Sequence, residues 1–270
     1  MCFSHNKYSI FLLLFLCVVF FGLLDGSKGP LVLDDFRNLS PLLGTEKPDY
    51  LQVIFNNESG PLGRSVSMAT FAANHWIRSG INVADLKITN LFIHLINAFL
   101  LYLIISILLK NRYRTDQRQL LAITITACWV LSPINTSVVF YVVQRMTLLS
   151  TFFILAGCLS YLLMRPCYGK RSKKTVFSYS LLFTFWILAS LSKENGILLP
   201  VFIICIELCF FDGLRLWIIN AGKNKKIVSA IALLVLFSFM TGLIIFNGYL
   251  DYDHLDYNLS DRLFTQPVVV

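Results

Sequence analysis

Charged side chains are scarce in this sequence. Asp, Glu, Lys and Arg make up 14% of its 270 residues, compared with roughly 25% in soluble domains. Hydrophobic residues reach 56%, and the mean hydropathy is +0.69. This balance excludes an ordinary soluble domain and indicates an integral membrane protein. We therefore expect an all-α, polytopic bundle of membrane-spanning helices.

The cysteines give no sign of a metal site or of a disulfide framework. The sequence contains seven of them, but no CxxC pair and no spacing typical of zinc ligands. Most lie in or beside apolar runs, where cysteine behaves as a small hydrophobic residue. We predict no cysteine-bound metal and no certain cofactor.

Long apolar runs predict about seven spanning helices, because roughly 20 apolar residues are needed to cross a bilayer. The first run follows Lys7 and lacks a small-residue cleavage site, which favours an uncleaved signal anchor. The last residues, 267–270, begin a further apolar run, so we expect 1–270 to be one membrane domain truncated at its C-terminus. The seven runs are residues 8–24, 86–109, 120–131, 147–164, 176–191, 196–211 and 227–246.

Basic residues recur at alternate connections, in residues 110–118, 165–174 and 212–226. The positive-inside rule places these loops in the cytoplasm, together with the N-terminus. The net charge of +8 is thus a topology signal, and we predict no nucleic-acid partner. We predict a multi-pass protein of the bacterial inner membrane in preference to the endoplasmic reticulum.

Residues 25–85 form the first predicted outer loop. Within it, residues 64–77 have apolar side chains near helical spacing, at Val66, Ala69, Ala73, Trp76 and Ile77. This pattern predicts an amphipathic helix lying at the membrane interface.

The same loop carries the adjacent acids Asp34 and Asp35. One interpretation is a turn or a helix N-cap, since Asp favours both. The other is catalytic. Two neighbouring carboxylates near a low-dielectric surface push their pKa values apart, which leaves one of them a better general base. With His94, the pair could also hold a divalent cation.

Charged residues near the outer helix ends are candidates for binding a phosphate. Arg145, between two apolar stretches, either snorkels to the interface or clamps an anion with its guanidinium fork. Lys193 and Glu194, between two apolar helices, form either a solvated turn with a local ion pair or a phosphate site in which Glu194 orients Lys193.

Polar residues within the second span are candidates for substrate contact, as is Arg64. Asn90 and His94 are four residues apart and share one helix face. Such a stripe usually points into the bundle, where interhelical hydrogen bonding is the alternative explanation.

Several segments, taken in order, carry a family resemblance. They are an outer DD motif followed by GRSVSMATFAANHW, KITNLFIHLINAFLLY, LSPINTSVVFYVVQRMTLLSTFF, LASLSKENGILLPVFIICIEL and DRLFTQPVVV. Together they resemble the membrane domain of the transmembrane and tetratricopeptide-containing O-mannosyltransferase family and its bacterial relatives, within the GT-C glycosyltransferase superfamily. The resemblance runs from about residue 31 to residue 270.

The resemblance implies a GT-C-like fold and inverting transfer of a sugar from a dolichyl or undecaprenyl phosphate. The acceptor would be a protein or a glycan at the outer face, and tetratricopeptide repeats would follow in the longer protein. In this family an acid of the first outer loop is taken as the base, which corresponds to Asp34 or Asp35. Basic residues at the outer helix mouths hold the donor phosphate, which corresponds to Arg145 and Lys193. A transporter or flippase of lipid-linked sugars, or a non-catalytic membrane subunit, is the alternative.

The predicted topology has a direct test in cysteine labelling from outside the membrane. On a background without native cysteines, we expect a membrane-impermeant maleimide to label Asn57→Cys and to leave Ser172→Cys unmodified. The first position lies in the predicted outer loop and the second in a basic inner loop. Labelling at position 172, or none at position 57, would contradict this orientation.

Overall fold

A computed structural model of the chain describes residues 7–45, 47–57, 59–60, 63–165 and 173–211. These residues form α-helices, short 3-10 helices and loops, with no β-strand among them. The chain divides into two compact units, Met1–Leu216 and Trp217–Val270. The second unit includes the predicted seventh span and the final apolar run, and it lies outside the described residues.

The described helices follow one another in a simple order. Short 3-10 helices at Leu24–Lys28, Val142–Gln144 and Glu194–Leu198 adjoin them. The α-helices are α1 (Lys7–Leu23), α2 (Asp34–Leu39), α3 (Tyr50–Phe55), α4 (Ser65–Arg78), α5 (Val83–Leu108), α6 (Thr115–Val130), α7 (Pro133–Phe140), α8 (Arg145–Met164), α9 (Lys173–Ser192) and α10 (Leu199–Phe210).

Four described helical segments are long and apolar enough to cross a membrane, which confirms a multi-pass, all-α membrane protein. They are Lys7–Lys28, Val83–Leu108, Val142–Met164 and Lys173–Ser192. A fifth candidate combines α6 and α7, which are bent by 59° at the break between them. Pro133 begins α7, where its missing N–H costs no helical hydrogen bond.

The predicted sixth span, residues 196–211, is not found as a spanning helix. It consists of the end of a 3-10 helix followed by α10, which has 12 residues. A helix of this length rises about 18 Å, whereas the hydrocarbon core is about 30 Å thick. The described chain therefore offers four or five candidate spans where the sequence predicted six.

The described core contains three apolar clusters. One packs α1 against α5 and α6, with Leu12 and Tyr102 at its centre. A second packs α8, α9 and α10 around Leu199. The third joins the first loop to the start of α8, with Phe71 and Met146 both buried. The long helix α5 contributes to all three clusters, so it is the central element of the described fold.

The predicted amphipathic helix is present as α4, but its buried face differs from the predicted apolar stripe. The buried residues are Ser67, Met68, Phe71, Ala72 and His75, which recur at helical spacing. The residues at the end of the predicted stripe, Trp76 and Ile77, are 71% and 68% exposed. The helix thus packs one face on the protein and turns apolar side chains outward.

The end of α10 is fixed by arginines from two other connections. Arg165 donates to both carboxylate oxygens of the buried Glu207, at 2.6 and 3.1 Å. Arg112 donates to the carbonyl of Cys209. The pKa of Arg165 is raised by its hydrogen bond to Glu207. These contacts bring together residues from connections that were predicted to share one membrane side.

Candidate functional site

The short segment 141–147, which leads into and begins α8, contacts most of the predicted site residues. We call it the entry segment. Its backbone and side chains bond to both acids of the first loop, to the polar face of α5 and to Lys193. Arg145 itself belongs to it. Residues from four distant parts of the sequence therefore meet at one end of the helix bundle.

Asp35 is fully buried and ties the first loop to the entry segment. Its Oδ1 accepts a hydrogen bond from the Val143 amide at 2.7 Å, and its Oδ2 accepts one from the Val32 amide at 3.0 Å. Both carboxylate oxygens are thus used by backbone donors. Such charge-assisted bonds are strong, and they give Asp35 a positioning function.

Asp34 is exposed, in contrast to its neighbour. Its backbone N–H donates to the Tyr141 hydroxyl at 3.0 Å, and burial raises the pKa of Tyr141. The preceding residue, Leu33, has a φ of 44°. This is strained backbone for a branched residue, and such strain persists only where surrounding contacts over-determine the conformation.

Arg145 is fully enclosed by protein, although the sequence predicted it at the outer mouth of its helix. Its guanidinium donates to the Asn90 and Asn74 side-chain oxygens at 2.8 and 2.6 Å. It also donates to the carbonyls of Leu86 and Thr70. The Phe71 ring lies 4.3 Å from the guanidinium carbon. The N–H groups of the guanidinium are directed at α4 and α5. The phosphate of a sugar donor therefore does not reach them in this arrangement.

Asn90 is buried and links α5 to the entry segment. While its oxygen accepts from Arg145, its amide donates to the carbonyls of Val139 and Val142, each at 3.2 Å. The interhelical hydrogen bonding that the sequence offered as one explanation is therefore present. It satisfies one carbonyl in the last turn of α7 and one between α7 and α8.

His94, on α5, packs against the break between α6 and α7. It does not share the contacts of the acid pair. Its ring stacks on Trp129 at 4.7 Å, and its Nε2 lies 3.5 Å from the Val130 carbonyl. It borders a small cavity of about 70 Å³ that Asn135 also lines. No group of three or more His, Cys, Asp or Glu side chains within the described ranges could hold a metal ion. The cation site suggested for His94 and the acid pair thus has no support there.

Glu194 pairs with Arg64 rather than with its neighbour Lys193. The two side chains form a bidentate pair, with both N–O distances at 3.0 Å, and both are largely buried. The predicted local pair between Lys193 and Glu194 is therefore replaced by a contact across 130 positions of sequence. Arg64 also reaches the Met146 sulfur of the entry segment.

Lys193 donates to the Thr147 hydroxyl at 2.8 Å. It forms no ion pair with any carboxylate in the described part of the chain. Burial lowers the pKa of Lys193, and the nearby Arg64 charge lowers it further. Two cations and one acid thus meet here, which leaves a net positive charge beside the entry segment.

Sequence reasoning missed three residues of this region. Tyr141 and Thr147 carry no motif, and only the fold shows that they receive bonds from Asp34 and Lys193. Lys87 had a signal, since a lysine near the start of an apolar span is costly unless it has a partner. It is buried and donates to backbone carbonyls of the first loop.

No protein-family model, no curated protein and no solved structure matches this chain. The resemblance to the O-mannosyltransferase family therefore stays a prediction, and the function is argued from the geometry of the residues.

The placement of Arg145 predicts a loss of stability without any substrate present. Arg145→Lys keeps the charge but removes the planar fork, leaving several buried acceptors without a donor. We expect the free energy of unfolding in detergent to fall by about 3 kcal/mol or more. Arg37→Met, at an exposed position, is the control and should have little effect. Normal stability combined with weakened binding of a polyprenyl phosphate would instead assign Arg145 to the ligand.

Proposed function

We propose that this protein is a membrane glycosyltransferase of the GT-C type. It transfers a sugar from a polyprenyl-phosphate donor to a protein or glycan acceptor on the outer face of the membrane. The observation that carries the proposal is the division of labour within the acid pair. Asp35 is locked between two backbone amides, whereas Asp34 is turned outward beside strained backbone and shares the entry segment with Lys193.

Asp34 is the general base in this mechanism. Hydroxyl acceptors have high pKa values, so attack on the sugar requires removal of the proton as the new bond forms. The acceptor oxygen bonds to the anomeric carbon while Asp34 takes its proton, and the bond from that carbon to the phosphate oxygen breaks. Attack from the face opposite the leaving phosphate inverts the configuration. The exposure of Asp34 gives an acceptor access to its carboxylate.

Asp35 positions the base rather than reacting. Both of its oxygens accept hydrogen bonds from backbone amides. Protonating Asp35 would therefore weaken the bonds that hold the first loop in place. Its contact with Val143 fixes the first loop against the entry segment. The two acids therefore have different roles in this proposal. Asp35 accepts from backbone amides without capping α2, and its exposed neighbour is available for chemistry.

Lys193 binds the donor phosphate in this proposal. It has a hydroxyl partner, Thr147, but no carboxylate in the described part of the chain, so its charge is available to an anion. Arg64 is already neutralised by Glu194 and serves mainly to hold the site's shape. As the sugar leaves, negative charge grows on the phosphate, and a preorganised ammonium stabilises it. Arg145 has no direct part here, which departs from the role that the resemblance implied.

The two acids should respond differently to the same substitution. Asp34→Asn should lower turnover by at least about 100-fold, the low end for removing a general base, with stability and donor binding nearly unchanged. Asp35→Asn replaces one accepting oxygen by a donor that faces an amide, so it should lower stability as well. Activity with a polyprenyl-phosphate sugar and thermal unfolding of the full-length protein measure both effects. Full activity in both variants would remove the acid pair from the mechanism.

The phosphate role of Lys193 predicts a specific pH dependence. A lysine is charged below its pKa, and the pKa of Lys193 is lowered by burial and by Arg64. The kcat/KM for the donor should therefore fall on the alkaline side at a lower pH than an ordinary lysine would cause. Lys193→Arg keeps its charge at all relevant pH values, so this alkaline fall should disappear. Lys47→Arg, at an exposed position, is the matched control. An unchanged profile in Lys193→Arg would contradict the assignment.

A further inference from the structure

Lys87 is a buried cation with no acid in ion-pair contact among the described residues. It lies near the start of α5, is 3% exposed, and donates to the carbonyls of Gly29 and Pro30, each at 2.9 Å. The carboxylate of Asp35 is close enough to act on it electrostatically. Burying an ammonium is costly unless its hydrogen-bonding capacity is used. The bonds from Lys87 to the loop that precedes the acid pair therefore explain how a lysine is tolerated at this buried position.

The end of the same loop is held by two bonds to the entry segment and by one bond within the loop. Asp35 accepts from the Val32 and Val143 amides, and the Tyr141 hydroxyl accepts from the Asp34 amide. Lys87 acts at the start of the loop and these contacts act at its end. Between them lies Leu33, with its positive φ. Strained backbone relaxes unless both flanks are fixed, so the conformation just before Asp34 depends on both anchors.

We propose that Lys87 is a positioning residue that clamps the loop 29–35 and thereby sets the direction of the Asp34 carboxylate. The assignment of Asp34 as the group being positioned rests on the proposed function. The clamp itself is a statement about the loop and holds for any use of that acid. Lys87 does not touch the reacting atoms; it acts through backbone carbonyls.

Gly29 offers an independent way to disturb the clamp. A Cβ added at this glycine would lie 3.0 Å from the Lys87 Nζ, closer than ordinary van der Waals contact. The Gly29→Ala variant must therefore move the lysine tip, while the φ at this position, −66°, suits alanine. Gly80 is the matched control, because a Cβ there meets nothing within 4 Å.

The test combines hydrogen exchange with kinetics on the full chain in lipid nanodiscs. In Lys87→Met, we expect amides of residues 32–36 to exchange about tenfold faster, as loss of hydrogen bonds to a charged donor implies. Exchange in α3, residues 50–55, should not change. Turnover of a polyprenyl-phosphate sugar should fall about tenfold. The KM for this sugar donor should not change, because Lys193, the residue proposed to bind its phosphate, is not altered. Lys28→Met, at an exposed lysine paired with Asp25, should behave like the unmodified protein.

Several outcomes would overturn the clamp. Unchanged exchange at residues 32–36 would do so, and so would faster exchange throughout α3, α4 and α5, which indicates a general loss of fold. If Lys87→Met does not fold, Gly29→Ala carries the test, with a smaller acceleration of about threefold in the same residues and none in Gly80→Ala. Local acceleration in Lys87→Met combined with full activity of Asp34→Asn would support the clamp and refute the proposed function, so the two fail separately.

Discussion

The site depends on one constraint, the burial of Arg145 with no carboxylate partner among the described residues. A guanidinium in a low-dielectric interior must direct its donors to acceptors, because an unpaired buried charge is far more costly than a paired one. Here the acceptors are side-chain amides and carbonyls from α4 and α5. The acceptors come from both helices, so the guanidinium holds the start of α8 against α4 and α5.

The need of the Arg145 guanidinium for acceptors also positions the residues around it. Asn90, held by Arg145, binds the carbonyls that the break between α7 and α8 leaves open. With that backbone fixed, the Val143 amide is directed at Asp35, and the Thr147 hydroxyl lies beside Lys193. The guanidinium is thus a scaffold for the groups that were predicted to act alongside it. Its lack of any acid partner in the described part of the chain explains why carbonyls of the surrounding helices take that place.

The sequence predicted those features that depend on composition and on residues close together in the chain. Composition and apolar runs identified a helical membrane protein. The acid pair, Arg145 and Lys193, which were all predicted near the outer helix ends, do come together at the entry segment. The sequence failed where partners are distant. No residue near Glu194 in the sequence indicates that Arg64 is its partner. Arg145 is enclosed by protein, but an arginine between two apolar stretches has the same sequence pattern whether it is exposed or enclosed. The length of α10 was misjudged because a 3-10 turn and a short helix are as apolar as a full span.

The spacing along the entry segment has a consequence for the proposed chemistry. Inversion requires the base and the leaving phosphate to lie on opposite sides of the sugar. The Asp34 backbone N–H donates to the Tyr141 hydroxyl and the Lys193 ammonium donates to the Thr147 hydroxyl, at the two ends of the entry segment. The base and the phosphate-binding lysine of the proposed mechanism are thus held by opposite ends of one short segment, an arrangement that suits the opposed placement that inversion needs. Arg145 lies within this segment and anchors it to α4 and α5, so the guanidinium holds the body of the segment while the first loop and Lys193 bind its two ends.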